Sequence, residues 1–348
     1  MLTALALVLT GGILSLVEGL PSKAHSKRGF NWDSTQHLIA FGDSYTFVQG
    51  THGYPGYSFI GDQLNYAYNA DTLLTDQIVQ NQTGTSAGGP NWVEYLTGCG
   101  LKEGLTSPAS CTKQLWDFAF AGAGISAEYI PLHHPFTISF VKQITQYTTY
   151  GHPVLTSIVD PSSTLIAVWI GINDMNDSAA YNLTTSFPSF YDTLVTTIYT
   201  SLQDLSSLGY KKYILLNLPP LDRTPSNQDK VLKGGSASPN VTQVEWFNSA
   251  LEAQSWDFER QNSGSSVLVF DAHKVLSGIL DHPRKYGILN TTDFCPGAKE
   301  LDIETNYEKY GCPTPLETYF WYDSGHITSR VHEVLASALD AKLRKWRG

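Results

Sequence analysis

Four short stretches carry residue types that could together move an acyl group. Gly42-Asp43-Ser44 offers a hydroxyl, Gly122 a backbone N–H with no side chain in the way, Gly171-Ile172-Asn173-Asp174 a side-chain amide, and Asp323-Ser324-Gly325-His326 an imidazole beside a carboxylate. Acyl transfer needs a nucleophile, a base to take its proton, a group to orient the base and donors for the oxyanion. Asp323 and His326 are close enough in sequence to share one turn, so one ring nitrogen can face the carboxylate while the other faces Ser44. Asn173 suits the oxyanion because an amide donates without adding charge.

Two rivals compete for these roles. Gly84-Thr85-Ser86-Ala87-Gly88 matches the Gly-x-Ser-x-Gly nucleophile elbow, which requires a buried strand before it and a helix directly after it. Gln80-Asn81-Gln82-Thr83 and Gly89-Pro90 flank it instead, so it reads as a glycine-rich loop. His273, in Asp271-Ala272-His273, is a second candidate base and reads as a capping or packing histidine.

Convergence of such distant residues requires elements that end at one edge. Leu38–Phe41 is a short apolar run that stops at Gly-Asp-Ser, as expected of a buried parallel strand delivering a hydroxyl to the sheet's carboxyl edge. Further apolar runs follow at Leu115–Gly122, Leu165–Gly171, Tyr213–Asn217 and Val267–Asp271, giving five predicted strands. Between the third and fourth, Phe187, Phe190, Tyr191, Leu194, Val195, Ile198, Tyr199, Leu202 and Leu205 keep helical spacing. Val244, Phe247, Leu251 and Phe258 form a weaker stripe, and Val331, Val334, Leu335, Ala338, Leu339 and Leu343 a terminal one. Alternating strands and helices predict right-handed crossovers and an α/β fold with a covered parallel sheet. A short helix is expected around residues 58–64, and two irregular excursions at residues 50–90 and 274–319, with little periodicity in the second.

The 348 residues are 42% hydrophobic and 16% charged with a formal net charge of −10, and no basic cluster occurs before the C-terminal Lys342–Arg347, which argues against nucleic acid as a partner. Leu2–Val17 is nearly all apolar and leads to Val17-Glu18-Gly19, so residues 1–19 read as a secretory signal, too short and interrupted for a membrane anchor. Lys27-Arg28 reads either as a dibasic processing site, which would make residues 20–28 a propeptide, or as a solvated pair of charges, and residues 29–348 are expected to form a single domain. Asn81, Asn176, Asn182, Asn240 and Asn290 head glycosylation sequons. Cys99, Cys111, Cys295 and Cys312 fall into two local pairs; of three connectivities, an oxidising compartment favours Cys99–Cys111 with Cys295–Cys312. Their spacing lacks a zinc-ligand pattern, and no metal site is expected.

In their order, Gly42-Asp43-Ser44, Phe118-Ala119-Phe120-Ala121-Gly122-Ala123-Gly124, Gly171-x-Asn173-Asp174 and Asp323-x-x-His326 resemble the four sequence blocks of the GDSL or SGNH hydrolases. With Gly89-Pro90-Asn91-Trp92-Val93-Glu94-Tyr95-Leu96 and Trp169-Ile170-Gly171, the chain is most similar to secreted fungal acetylesterases of carbohydrate esterase family 16. The resemblance implies a three-layer, flavodoxin-like α/β/α sandwich. It also implies Ser44 as nucleophile, His326 as base, Asp323 as its orienting carboxylate, and an oxyanion hole of Ser44 N–H, Gly122 N–H and the Asn173 amide. Tyr45 stands where the family has the leucine of its name, and Gly325 where a larger apolar residue is common before the histidine, so the acyl pocket is expected to differ in shape.

The expected activity is ester hydrolysis through an acyl-enzyme on Ser44, with no cofactor, on acetylated oligosaccharides from hemicellulose. A lipid acyl-hydrolase and a non-catalytic glycan-binding protein are the alternatives. Asp174 reads as support for the turn that presents Asn173 or as a substrate contact, and Trp92, Trp321, Tyr54 and Tyr57 read either as platforms for sugar rings or as core residues. The protein is expected to be an extracellular monomer without membrane insertion.

Overall fold

A computed structural model describes residues 30–61, 70–178, 181 and 183–347. The expected signal, the propeptide with Lys27-Arg28, and the sequon at Asn182 lie outside the described residues.

Five parallel strands form the central sheet: His37–Gly42, Gln114–Asp117, Thr164–Trp169, Lys212–Leu216 and Ser266–Phe270. They lie in the order second, first, third, fourth, fifth, so the first strand is flanked by the second and third. Every residue of the first and third strands is buried, as expected where helices cover both sheet faces. The Phe187–Ser207 helix packs on Val241–Gln261 and on Phe140–Gln146, while Ser329–Leu343 packs on Trp92–Thr97 and Ala272–Asp281. The predicted stripes are the buried ones: Leu194, Ile198 and Leu202 in one helix, Val244, Phe247 and Leu251 in the next, and Val331, Leu335 and Leu339 in the last.

The structure departs from the sequence reading in three places. The second strand stops at Asp117, because the Asp117 carboxylate turns back to accept the N–H groups of Ala119 at 2.7 Å and Val48 at 3.1 Å. Residues 58–60 are not helical; they bridge to other segments, Ser58 with Phe120 and Ile60 with His52. The 274–319 excursion opens with a helix, Ala272–Asp281, capped by the Asp271 side chain and burying Leu276, Ile279 and Leu280. The disulfides are Cys99–Cys111, which closes the segment between the Trp92–Thr97 helix and the second strand, and Cys295–Cys312, which staples the 274–319 excursion. Among the described residues no helix is long and apolar enough to cross a membrane.

Candidate active site

The first strand ends in a turn held from several sides. A Cβ on Gly42 would lie 2.3 Å from the Trp169 carbonyl oxygen, so only glycine lets the first and third strands close up there. The Gln143 side chain clamps Gly42, accepting its N–H at 3.0 Å and donating to its carbonyl at 2.8 Å. Past Ser44, the Asn91 amide donates to the carbonyls of Thr46 and Phe47, both at 2.8 Å. Asn91 is itself fixed as the N-cap of Trp92–Thr97, in a capping box with Glu94. This block therefore braces the nucleophile turn.

On that frame three side chains form one chain of hydrogen bonds. Ser44 Oγ lies 2.7 Å from His326 Nε2, and His326 Nδ1 lies 2.9 Å from both carboxylate oxygens of Asp323. Asp323 Oδ1 also accepts the backbone N–H groups of Gly325 at 2.9 Å and His326 at 2.8 Å. Burial alone would raise the Asp323 pKa, but the imidazole and these donors outweigh it and hold the carboxyl at about 2. The two positions that differ from the family pattern touch each other: the Tyr45 hydroxyl donates to the Gly325 carbonyl, and the Tyr45 ring lies 5.4 Å from that of His326. Tyr45 thus ties the nucleophile turn to the histidine loop.

Donors for an oxyanion sit beside Ser44. The backbone N–H groups of Ser44 and Gly122 enter no hydrogen bond among the described residues. Gly122 has φ +79°, a left-handed turn that aims this loop at the strand edge. Asn173, in the first turn of the Ile172–Ser178 helix, spends one amide hydrogen on the Ala123 carbonyl at 2.8 Å, which fixes the amide and leaves the other hydrogen free. Ser44, Gly122, Asn173 and His326 line one cleft of about 460 Å³.

Two carboxyls flank this machinery without facing it. Asp43 and Asp174 are fully buried, and burial raises each to about 7. Asp43 accepts the Tyr45 N–H, and Asp174 accepts the Ile125 N–H with both oxygens at 3.0 Å. Asp174, buried and bonded in this way, holds the Gly122 loop against the Asn173 helix. Trp92 and Trp321 are likewise core residues: the Trp92 indole meets Thr46 Oγ1 and the Trp321 indole donates to the Thr291 carbonyl. Of the smaller aromatics, Tyr57 lines the cleft, while Tyr54 stacks on Phe136 at 4.8 Å.

His273 lies apart, in a groove with Asn217, Glu245 and Asp271 beyond the fourth and fifth strands. Ser86 sits in a loop with neither strand nor helix adjoining, although it does line the cleft. Sequence reasoning missed His133, whose Nε2 lies 2.6 Å from Asp177 Oδ2 at the same cleft. The only signal was the placing of Asp177 four residues after Asn173. Asn81, Asn176 and Asn240 are exposed, and Asn176 also lines the cleft, where a glycan would crowd the mouth.

Residues 38–339 match the model of the GDSL-like Lipase/Acylhydrolase family. A protein named Acetylesterase from Thermothelomyces thermophilus is 26% identical over 351 residues, covering 99% of this chain and 97% of its own. Another Acetylesterase, from Hypocrea jecorina, is 23% identical over 333 residues, with 87% of each chain covered. Among solved structures, a carbohydrate acetylesterase from Sinorhizobium meliloti aligns with a TM-score of 0.41 and 11% identity, covering 89% of this chain and 99% of that one.

Proposed function

The chain belongs to the GDSL-like lipase/acylhydrolase family and is a carboxylic ester hydrolase, and from that premise we propose that it removes acetyl groups from carbohydrate esters through an acyl-enzyme on Ser44. The observation that carries the assignment is the unbroken run of hydrogen bonds from Asp323 through His326 to Ser44.

Ser44 Oγ attacks the ester carbonyl carbon and its proton passes to His326 Nε2. The carbonyl oxygen becomes an oxyanion and takes hydrogen bonds from the Ser44 and Gly122 N–H groups and from Asn173. Collapse breaks the bond to the alcohol, whose oxygen receives the proton from His326. Water then attacks the acyl-serine, giving a proton to His326; the ester bond to Ser44 breaks and the proton returns to its oxygen, releasing the carboxylic acid. Asp323 stays ionised throughout and stabilises the imidazolium without accepting its proton.

Acetyl esters are favoured by the names of both fungal relatives and by the modest cleft, whose mouth carries hydrogen-bonding side chains. Hemicellulose-derived oligosaccharides are the proposed acyl carriers. Extracellular action is supported by the two disulfides and by the apolar N-terminal sequence. The test is acetate release from acetylated xylo-oligosaccharides beside hydrolysis of a long-chain ester, with wild type and Ser44→Ala. The proposal expects wild type to release acetate and spare the long chain, and the folded variant to do neither. Preference for the long chain would move the substrate to lipid, and turnover of neither ester would overturn the enzymatic reading.

A further inference from the structure

The cleft contains a second histidine–carboxylate pair that the reaction scheme does not use. His133 Nε2 and Asp177 Oδ2 lie 2.6 Å apart, with both side chains partly exposed. Asp177 stands one helical turn beyond Asn173 on the Ile172–Ser178 helix, so the two side chains share a face. The residue that anchors His133 is thus carried by the same rigid element that presents the oxyanion amide. The His133 side chain abuts the oxyanion loop: a Cβ built on Gly122 would lie 3.4 Å from both His133 Cβ and Nδ1. Its neighbours around the cleft include Tyr57, Ser86, His134 and Asn176, all able to hydrogen-bond.

Resting on the carbohydrate-ester reading above, we propose that His133, oriented by Asp177, reads a hydroxyl of the substrate and makes the enzyme selective for esters of polyols. Asp177 accepts the Nε2 proton, so Nδ1 of the neutral ring is an acceptor and Nδ1 of the protonated ring a donor. The Asp177 hydrogen bond raises the pKa of His133 against the opposing effect of burial. A sugar hydroxyl can pair with either form, since it both donates and accepts. An alkyl or aryl ester has no such group and leaves Nδ1 unpaired when it covers the cleft. A site built to bond a hydroxyl discriminates against analogues that lack it. For a partly exposed pair the discrimination is on the order of tenfold, the worth of one hydrogen bond to a charged or polarised partner.

The experiment measures kcat/KM for a monoacetylated xylo-oligosaccharide and for 4-nitrophenyl acetate in wild type, His133→Ala and Asp177→Asn. The proposal expects the ratio of the two values to fall about tenfold in His133→Ala and by less, in the same direction, in Asp177→Asn. A ratio within twofold of wild type in both variants overturns it, whatever happens to the individual rates, because a merely structural role lowers both substrates together. Wild type that cleaves the aryl ester but not the acetylated sugar would overturn the carbohydrate reading and this inference with it. A preserved sugar activity with an unmoved ratio would overturn this inference alone.

Discussion

Replacing Asp323 with asparagine removes one charge from the site and reverses one hydrogen bond. The carboxyl is held at about 2 against an ordinary value of 3.8, which at 1.36 kcal/mol per pH unit favours its ionised form by roughly 2 to 3 kcal/mol. Burial opposes this shift, and among the favourable causes the His326 ring comes before the Gly325 and His326 backbone donors, so the net is the order of magnitude of what the carboxylate returns to the imidazolium. Losing it slows the chemical step about 30- to 150-fold. A further effect follows from geometry. An amide nitrogen facing Nδ1 puts the ring proton on Nε2, where it points at Ser44 and blocks proton transfer, and the same reversal in a serine protease reaches about 10⁴. The expected fall in kcat for Asp323→Asn is therefore ~10² to 10⁴, with KM little changed. The assay is 4-nitrophenyl acetate turnover, with Ser44→Ala as the floor and circular dichroism to establish folding. A folded Asp323→Asn enzyme within threefold of wild type would refute the orienting role.

Three further predictions follow from named contacts. Asn173→Ala removes a fixed oxyanion donor and is expected to lower kcat by about 10² to 10³ on the same ester while leaving KM nearly unchanged. Tyr45→Phe leaves the Gly325 carbonyl without its phenol donor, so denaturant unfolding should show a loss of ~1 to 2 kcal/mol and kinetics a several-fold drop in kcat. Asp43 tests the pH dependence of stability: with a folded pKa of about 7 above its unfolded value, its contribution is complete below about pH 4 and lost as pH rises through 7. Asp43→Asn keeps the acceptor for Tyr45 N–H and removes the titration. Melting temperatures of the two proteins should therefore diverge in favour of the variant between pH 4 and 7 and run parallel above; a constant difference across that range would refute the buried-acid assignment.

Much of the site was legible in the sequence because a doubly covered parallel sheet writes its strands as unbroken apolar runs. Each reactive group then marks itself as a small or polar residue where such a run ends, as Ser44 and Asn173 do. The tryptophans were not legible for the opposite reason. An indole over a sugar and an indole in a core look alike in sequence, and what separates them is the partner of the N–H, Thr46 for Trp92 and the Thr291 carbonyl for Trp321. The Ala272–Asp281 helix went unseen because its short apolar stripe opens an otherwise aperiodic excursion. His133 and Asp177 stand 44 residues apart, and only the fold makes them a pair. Tyr45 and Gly325 looked like independent departures from the family pattern, yet they meet across the site.

The claim on which the rest depends is that Ser44, and not Ser86, becomes acylated. Both serines line the cleft, so proximity does not separate them; activation by His326 does. The most direct measurement is labelling of the folded protein with a fluorophosphonate, followed by peptide mass spectrometry. The account predicts one adduct, on the peptide containing Ser44, lost in Ser44→Ala and retained in Ser86→Ala. An adduct on Ser86, or undiminished labelling of folded Ser44→Ala, would contradict it.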